Sequence, residues 1–96
     1  MKLDNHCKEC IKELGKPFKE VHQWLDAFAG TKEFGMRHRK KRHHQNGLVQ
    51  IQELFGEEAV YAGQLHIISD LKEEGWNKEK DHFPLNEIEY VKMGLF

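Results

Sequence analysis

The chain has 96 residues, enough for one hydrophobic core and too few for two of comparable size, so residues 1–96 read as a single helical domain. With 39% hydrophobic, 10% aromatic and 32% charged residues, its composition excludes an intrinsically disordered chain. The 15 Lys and Arg are balanced by 16 Asp and Glu, and a net charge of -1 excludes long-range capture of nucleic acid or anionic lipid by the whole-protein field.

Asp4 suits the N-cap of a first helix, in which Leu3, Cys7, Cys10, Ile11 and Leu14 recur at three- and four-residue intervals before Gly15. Pro17 fits the first turn of a second helix, whose stripe of Phe18, Val21, Trp24, Leu25 and Phe28 stops at Gly30. Thr31 to Gly35 reads as a connector. From about Met36 a long third helix is expected, basic at its start, with Leu48, Ile51, Leu54 and Phe55 on one stripe and Gly56 closing it. Within it, Asn46-Gly47 either breaks or kinks the helix, or lets a neighbour approach closely.

Glu57 and Glu58 favour a helix start electrostatically, and Ala59, Val60, Leu65, Ile67, Ile68 and Leu71 carry a fourth helix to Gly75. Trp76 to Phe83 reads as a loop. Pro84 then opens a short last helix with Leu85, Ile88, Val91 and Met93. Every extended run has a helical period and none alternates over a strand's length, so the fold class is all-α, a compact bundle of about four to five helices.

No apolar run reaches the length of a signal peptide or a membrane span, so a cytoplasmic location without membrane contact is expected. In a reducing compartment Cys7 and Cys10 stay as thiols. His6-Cys7-x2-Cys10 has half the form of a zinc site, but no second Cys/His pair completes it, and both cysteines fit the apolar face of the first helix. His6 and Cys10 are also an i, i+4 pair, which leaves a contribution from His6 to a central site open.

Two pairs share one form: His22 with Asp26, and His66 with Asp70. Spacing i, i+4 puts imidazole and carboxylate on one helix face, where they share a cation, hydrogen-bond each other, or form an ordinary exposed ion pair. The run from Arg37 to His44 admits three readings. His38, His43 and His44 would join His22, His66 and the two aspartates as N/O ligands for a divalent metal, Zn²⁺, Mn²⁺ or Fe²⁺. Alternatively its five Lys and Arg would grip phosphate, with Arg37, Arg39 and Arg42 as the anion-binding residues. As a third reading it is a solvated basic helix start. Its cations sit unfavourably at a helix N-terminus and require compensation, by acids such as Glu57, Glu58, Glu73 and Glu74 or by a bound anion. On a continuous helix His44 lies on the stripe of Leu48 and Ile51, His43 at its edge, and His38 opposite.

Taken together, His22-x-Trp24-x-Asp26, Arg37-His38-Arg39-x2-Arg42-His43-His44-x2-Gly47, Phe55-Gly56 and His66-x3-Asp70 resemble a family of small uncharacterised, His-rich bacterial and phage proteins. The family's Ile-Pro segment is similar to Phe83-Pro84 here, and His6 is similar to its early histidine. The His and Asp sets are also loosely similar to those of HD-type metal phosphohydrolases, which bind divalent metal between helices, although this chain has no His-Asp dipeptide. The leading expectation is a divalent-metal-binding protein. If it is a hydrolase, a metal-bound water would attack a phosphate-containing substrate held by the arginines. The alternatives are a non-enzymatic protein that binds nucleic acid or a nucleotide through residues 37–44, and a helical interaction module. A homodimer is expected if Trp76 and Leu95-Phe96 are exposed.

Overall fold

Helix α1, Leu3–Leu14, turns His6 and Cys10 inward, one turn apart on the same face. In the computed structural model, which describes residues 3–27 and 38–95 and for His38 the backbone alone, these two side chains meet the interior where the sequence pattern points to a purely apolar stripe. Ile11 and Leu14, members of that stripe, are exposed.

Phe18 separates Pro17 from the second helix by adopting a left-handed conformation, φ 51°. α2 therefore begins at Lys19, as Lys19–Leu25, and the Pro17 carbonyl is released from helical bonding. Asp26 follows the last turn of α2, and the expected continuation through Phe28 to Gly30 lies outside the described residues, as does the Thr31–Gly35 connector.

The long third helix divides. His38–Lys41 is a single 3₁₀ turn, and the chain is extended at His44 before α3, Gln45–Phe55, starts. Gly47 accounts for the division: the carbonyl of Arg42 lies where a Cβ on Gly47 would project, so the chain folds back on itself at a position only glycine admits. The Pro84 and Leu85 carbonyls take the Gln45 and Asn46 amides at 3.0 and 3.1 Å, which supplies acceptors to the first turn of α3.

Gly56 links α3 to α4, Glu57–Glu73, the longest helix. α4 buries Ala59, Ala62, Gly63, His66, Ile67, Asp70 and Leu71, an unbroken i, i+3, i+4 stripe. Gly63 lets Leu48 and Ile51 of α3 approach its backbone closely. After a loop, Asn86 caps α5, Glu87–Lys92, by accepting from the Glu89 amide at 2.9 Å. Pro84 precedes this helix and does not open it. Trp76 donates to the His82 carbonyl at 3.0 Å, and both Trp76 and Leu95 are buried, which removes two of the three exposed residues expected to form a dimer face; Phe96 lies outside the described residues.

The molecule is thus an all-α bundle of five helices among the described residues, with no strand among them. None of these helices is long and apolar enough to cross a membrane. Apolar side chains, including Val21, Leu25, Leu48, Ile51, Ile67 and Tyr90, enclose a polar centre of His6, His22, His43, His66 and Asp70.

A buried histidine and aspartate centre

His66 and Asp70 reach the centre together because they lie one turn apart on the buried stripe of α4. His66 Nε2 is 3.2 Å from Asp70 Oδ2 and 3.3 Å from Asp26 Oδ1. The irregular segment ahead of α3 brings His43 to the same place, its Nε2 2.9 Å from Asp70 Oδ2 and 3.6 Å from Asp26 Oδ1. Four potential ligand atoms from three chain segments thus converge, two imidazole nitrogens and two carboxylate oxygens. A tetrahedron of ligands about 2.05 Å from a central ion has edges of about 3.3 Å. The four imidazole-to-carboxylate separations scatter around that value, and all four ligand atoms lie within 4.8 Å of one another, close enough to share one small divalent cation.

His22 approaches His66 from the other side. The two Nδ1 atoms are 2.9 Å apart, and His22 Nε2 lies 3.0 Å from the Pro17 carbonyl and 3.3 Å from Cys10 Sγ. His22 and Asp26 therefore meet opposite nitrogens of His66. His6 stacks on His66, ring centroids 3.6 Å apart, and its Nε2 lies 3.3 Å from Asp70 Oδ1, the oxygen turned away from His43. His6 is buried, and its Nδ1 makes no hydrogen bond among the described residues. Burial without such a bond is costly for a polar ring.

Arg39 and Glu74 back the site. Arg39 donates to Glu74 at 3.0 Å and Glu73 at 3.3 Å, approaches Asp70 Oδ1 at 3.5 Å, and also donates to the Asp70 carbonyl. Tyr90 donates to the same Glu74 carboxylate at 3.0 Å, so α5 steadies the arginine that steadies Asp70. These acids provide part of the compensation that the basic run requires. Arg42 donates to the Trp24 carbonyl at 2.6 Å and stacks on its ring. Arg39 and Arg42, the expected phosphate-binding residues, are thus engaged with protein groups; Arg37 lies outside the described residues.

Burial and neighbouring charge set the protonation states. Burial lowers His43 to about 4, with Asp70 partly opposing, and lowers His22 to about 4, with His66 and His6 adding to the effect. For His66 burial also acts downward, but hydrogen bonds to Asp26 and Asp70 outweigh it and the pKa rises. Burial would raise Asp70, yet His43, His6 and His66 gathered around it hold it far below the carboxylate range. Asp26 falls to about 2, because its bond to His66 overcomes its own burial. Burial and the nearby Glu9 push the Cys10 thiol to about 11 and keep it protonated.

The centre therefore gathers His22, Asp26, His43, His66 and Asp70 of the expected ligands. His44 lies outside it: its Nδ1 accepts from the Gly47 amide at 3.2 Å and caps α3. The reason is the break after Lys41, which places consecutive side chains on different errands. The side chain of His38 lies outside the described residues. His6, whose contribution the sequence leaves open through its i, i+4 relation to Cys10 and its likeness to the family's early histidine, does reach the centre, and Cys10 is buried beside it on α1.

These features define an all-α protein built around a buried His/Asp centre. Residues 1–79 match the model of a family described as a domain of unknown function (DUF6915), and the chain belongs to that family. The match agrees with the expected membership of an uncharacterised family and carries neither the HD-type likeness nor a phage or bacterial source. No curated protein and no solved structure matches the chain.

Proposed function

We propose that this is a divalent-metal-binding protein whose ion is held by Asp26, His43, His66 and Asp70. The observation that carries this reading is the convergence of two His Nε2 and two Asp oxygen atoms from three segments, at separations of 2.9 to 3.6 Å. A mixed imidazole and carboxylate set suits Zn²⁺, Mn²⁺ or Fe²⁺. Two carboxylates and two neutral imidazoles would also neutralise a doubly charged ion, which favours binding in a buried place.

The finer reading is metal-dependent hydrolysis of a phosphate-containing substrate. Four protein donors complete a tetrahedral Zn²⁺ shell, whereas Mn²⁺ or Fe²⁺ takes up to six ligands and would keep positions for water. Asp26 is the one ligand at the surface, 28% exposed, so water and substrate would approach from its side. Binding of nucleic acid through residues 37–44 draws less support, because Arg39 and Arg42 already serve internal partners.

Elemental analysis of protein made without a histidine tag tests the first reading. Stoichiometric metal is expected in the native chain and in His44→Ala, and loss of metal in His66→Ala and Asp70→Asn. A native protein without metal after exposure to excess Zn²⁺, Mn²⁺ and Fe²⁺ would refute it. Turnover of a phosphate ester by the Mn²⁺- or Fe²⁺-loaded form, with the Zn²⁺-loaded form inert, is the result expected of the finer reading.

A further inference from the structure

Two groups of potential ligands share His66: Asp26, His43 and Asp70 at its Nε2, and His22 with His6 on its other side. Taken by donor count alone, this chain would hold two ions. The hydrogen bonds around His22 point elsewhere.

A carbonyl oxygen accepts and never donates, so the 3.0 Å contact between Pro17 O and His22 Nε2 requires the proton of His22 to be on Nε2. Cys10 Sγ, 3.3 Å from the same nitrogen, is compatible as a second, weak acceptor. A neutral His22 with its proton on Nε2 presents only a lone pair at Nδ1. That lone pair faces His66 Nδ1 at 2.9 Å, a hydrogen-bonding distance at which two bare nitrogens would repel. His66 Nδ1 must therefore carry a proton and donate it to His22. Its Nε2 faces the carboxylate oxygens of Asp26 and Asp70, which only accept, so in the metal-free chain that nitrogen also holds a proton, and a bound ion would take that proton's place.

We propose that His22 is not a ligand but a positioning residue: the chain Pro17 O, His22, His66 fixes the tautomer in which His66 offers Nε2 to one metal ion. This rests on the metal reading above and goes beyond it by assigning one ion rather than two. The left-handed Phe18 is what makes the device available, since it frees the Pro17 carbonyl from α2. Without that break the carbonyl would bond the helix and His22 would lack the acceptor that sets its proton.

The test is a long-range ¹H–¹⁵N correlation of the histidine rings in the full-length chain loaded with Zn²⁺, together with zinc stoichiometry. We expect one zinc per chain, His66 protonated at Nδ1 and metal-bound at Nε2, and His22 protonated at Nε2 with a bare Nδ1. His22→Ala should weaken zinc binding by about ten- to a hundredfold, the range for losing an outer partner of a ligand histidine, with stoichiometry unchanged. His22→Gln, whose amide can accept from His66 and donate to Pro17, should recover part of that loss. Two zinc ions per chain, or a His66 bound through Nδ1, would overturn the assignment. A native chain that takes up no zinc sinks the metal reading separately, and the ring spectra of the zinc-free protein then decide the relay: His66 Nδ1 protonated supports it, and His22 Nδ1 protonated overturns it.

Discussion

His43 sends Nε2 to Asp70 at 2.9 Å, while His44, one residue on, turns Nδ1 onto the Gly47 amide. Both are buried, and both are read from the sequence as metal ligands, so they form a paired control for the site. His44→Ala removes a side-chain cap and should destabilise the protein by about 1 to 2 kcal/mol, seen as a lower urea midpoint, while metal content stays stoichiometric. Loss of metal from that variant while it remains folded would contradict the placement of His44 at the cap. The distinction turns on one backbone feature: an extended residue 44 throws its ring along the new helix, whereas residue 43 still faces the core.

At the scale of elements, the seam between α3 and α4 is set by Gly63, whose missing Cβ is matched by Ile51 Cδ1 and Leu48 Cδ2. An ideal Cβ at Gly63 would sit 2.7 and 2.9 Å from those atoms, so Gly63→Ala should cost about 1 to 3 kcal/mol in chemical denaturation as the side chains give way. Gly47→Ala should cost more, since its Cβ would meet the Arg42 carbonyl, and backbone yields less readily than a leucine tip. The reverse order of the two midpoints would show that α3 packs differently. α4 is legible in the sequence because its inward positions are mostly apolar or small, and His66 and Asp70 fall on the same period. α1 is less so, because its inward face is His6 and Cys10, and a pattern that counts apolar residues drifts toward Ile11 and Leu14. The division of the third helix is legible in part: Asn46-Gly47 signals a break or a close approach, and the Arg42 carbonyl does approach Gly47, but Arg and Lys are good helix formers and nothing local places the break ahead of Gln45. The His66-x3-Asp70 half of the site follows from spacing. That Asp26 and His22 meet opposite nitrogens of His66 depends on where α2 stops and on tertiary packing, which spacing does not specify.

For the whole molecule, a polar centre inside an apolar shell ties folding to protonation. In the metal-free protein His22 and His43 have pKa values near 4, against about 6.5 in an unfolded chain. A depressed pKa means that below 6.5 the unfolded state binds more protons, so each group's stabilisation is full above that pH and drains as pH falls toward 4. His44, lowered by burial, acts in the same direction. His66 has the opposite sign: its raised pKa stabilises the fold fully below 6.5 and loses that contribution as pH rises through its folded value. Two strongly lowered histidines and a third lowered one against a single raised one leave a net loss of stability on acidification. A shift of that size corresponds to about 3 kcal/mol per group at its limit, a large part of what a small domain has. Below about pH 4 the depressed carboxylates add to it, since Asp26 and Asp70 lose their stabilising ionised form only in stronger acid. Urea denaturation of the metal-free chain should therefore show a midpoint that falls continuously from pH 6.5 to pH 4, with most of the change before ordinary carboxylates titrate. The metal-loaded chain should start from a higher midpoint and fall more steeply, because acid must displace the ion as well as protonate its ligands. A midpoint that stays level between pH 6.5 and 4.5 in the metal-free form would mean that His22 and His43 are not held neutral in the interior.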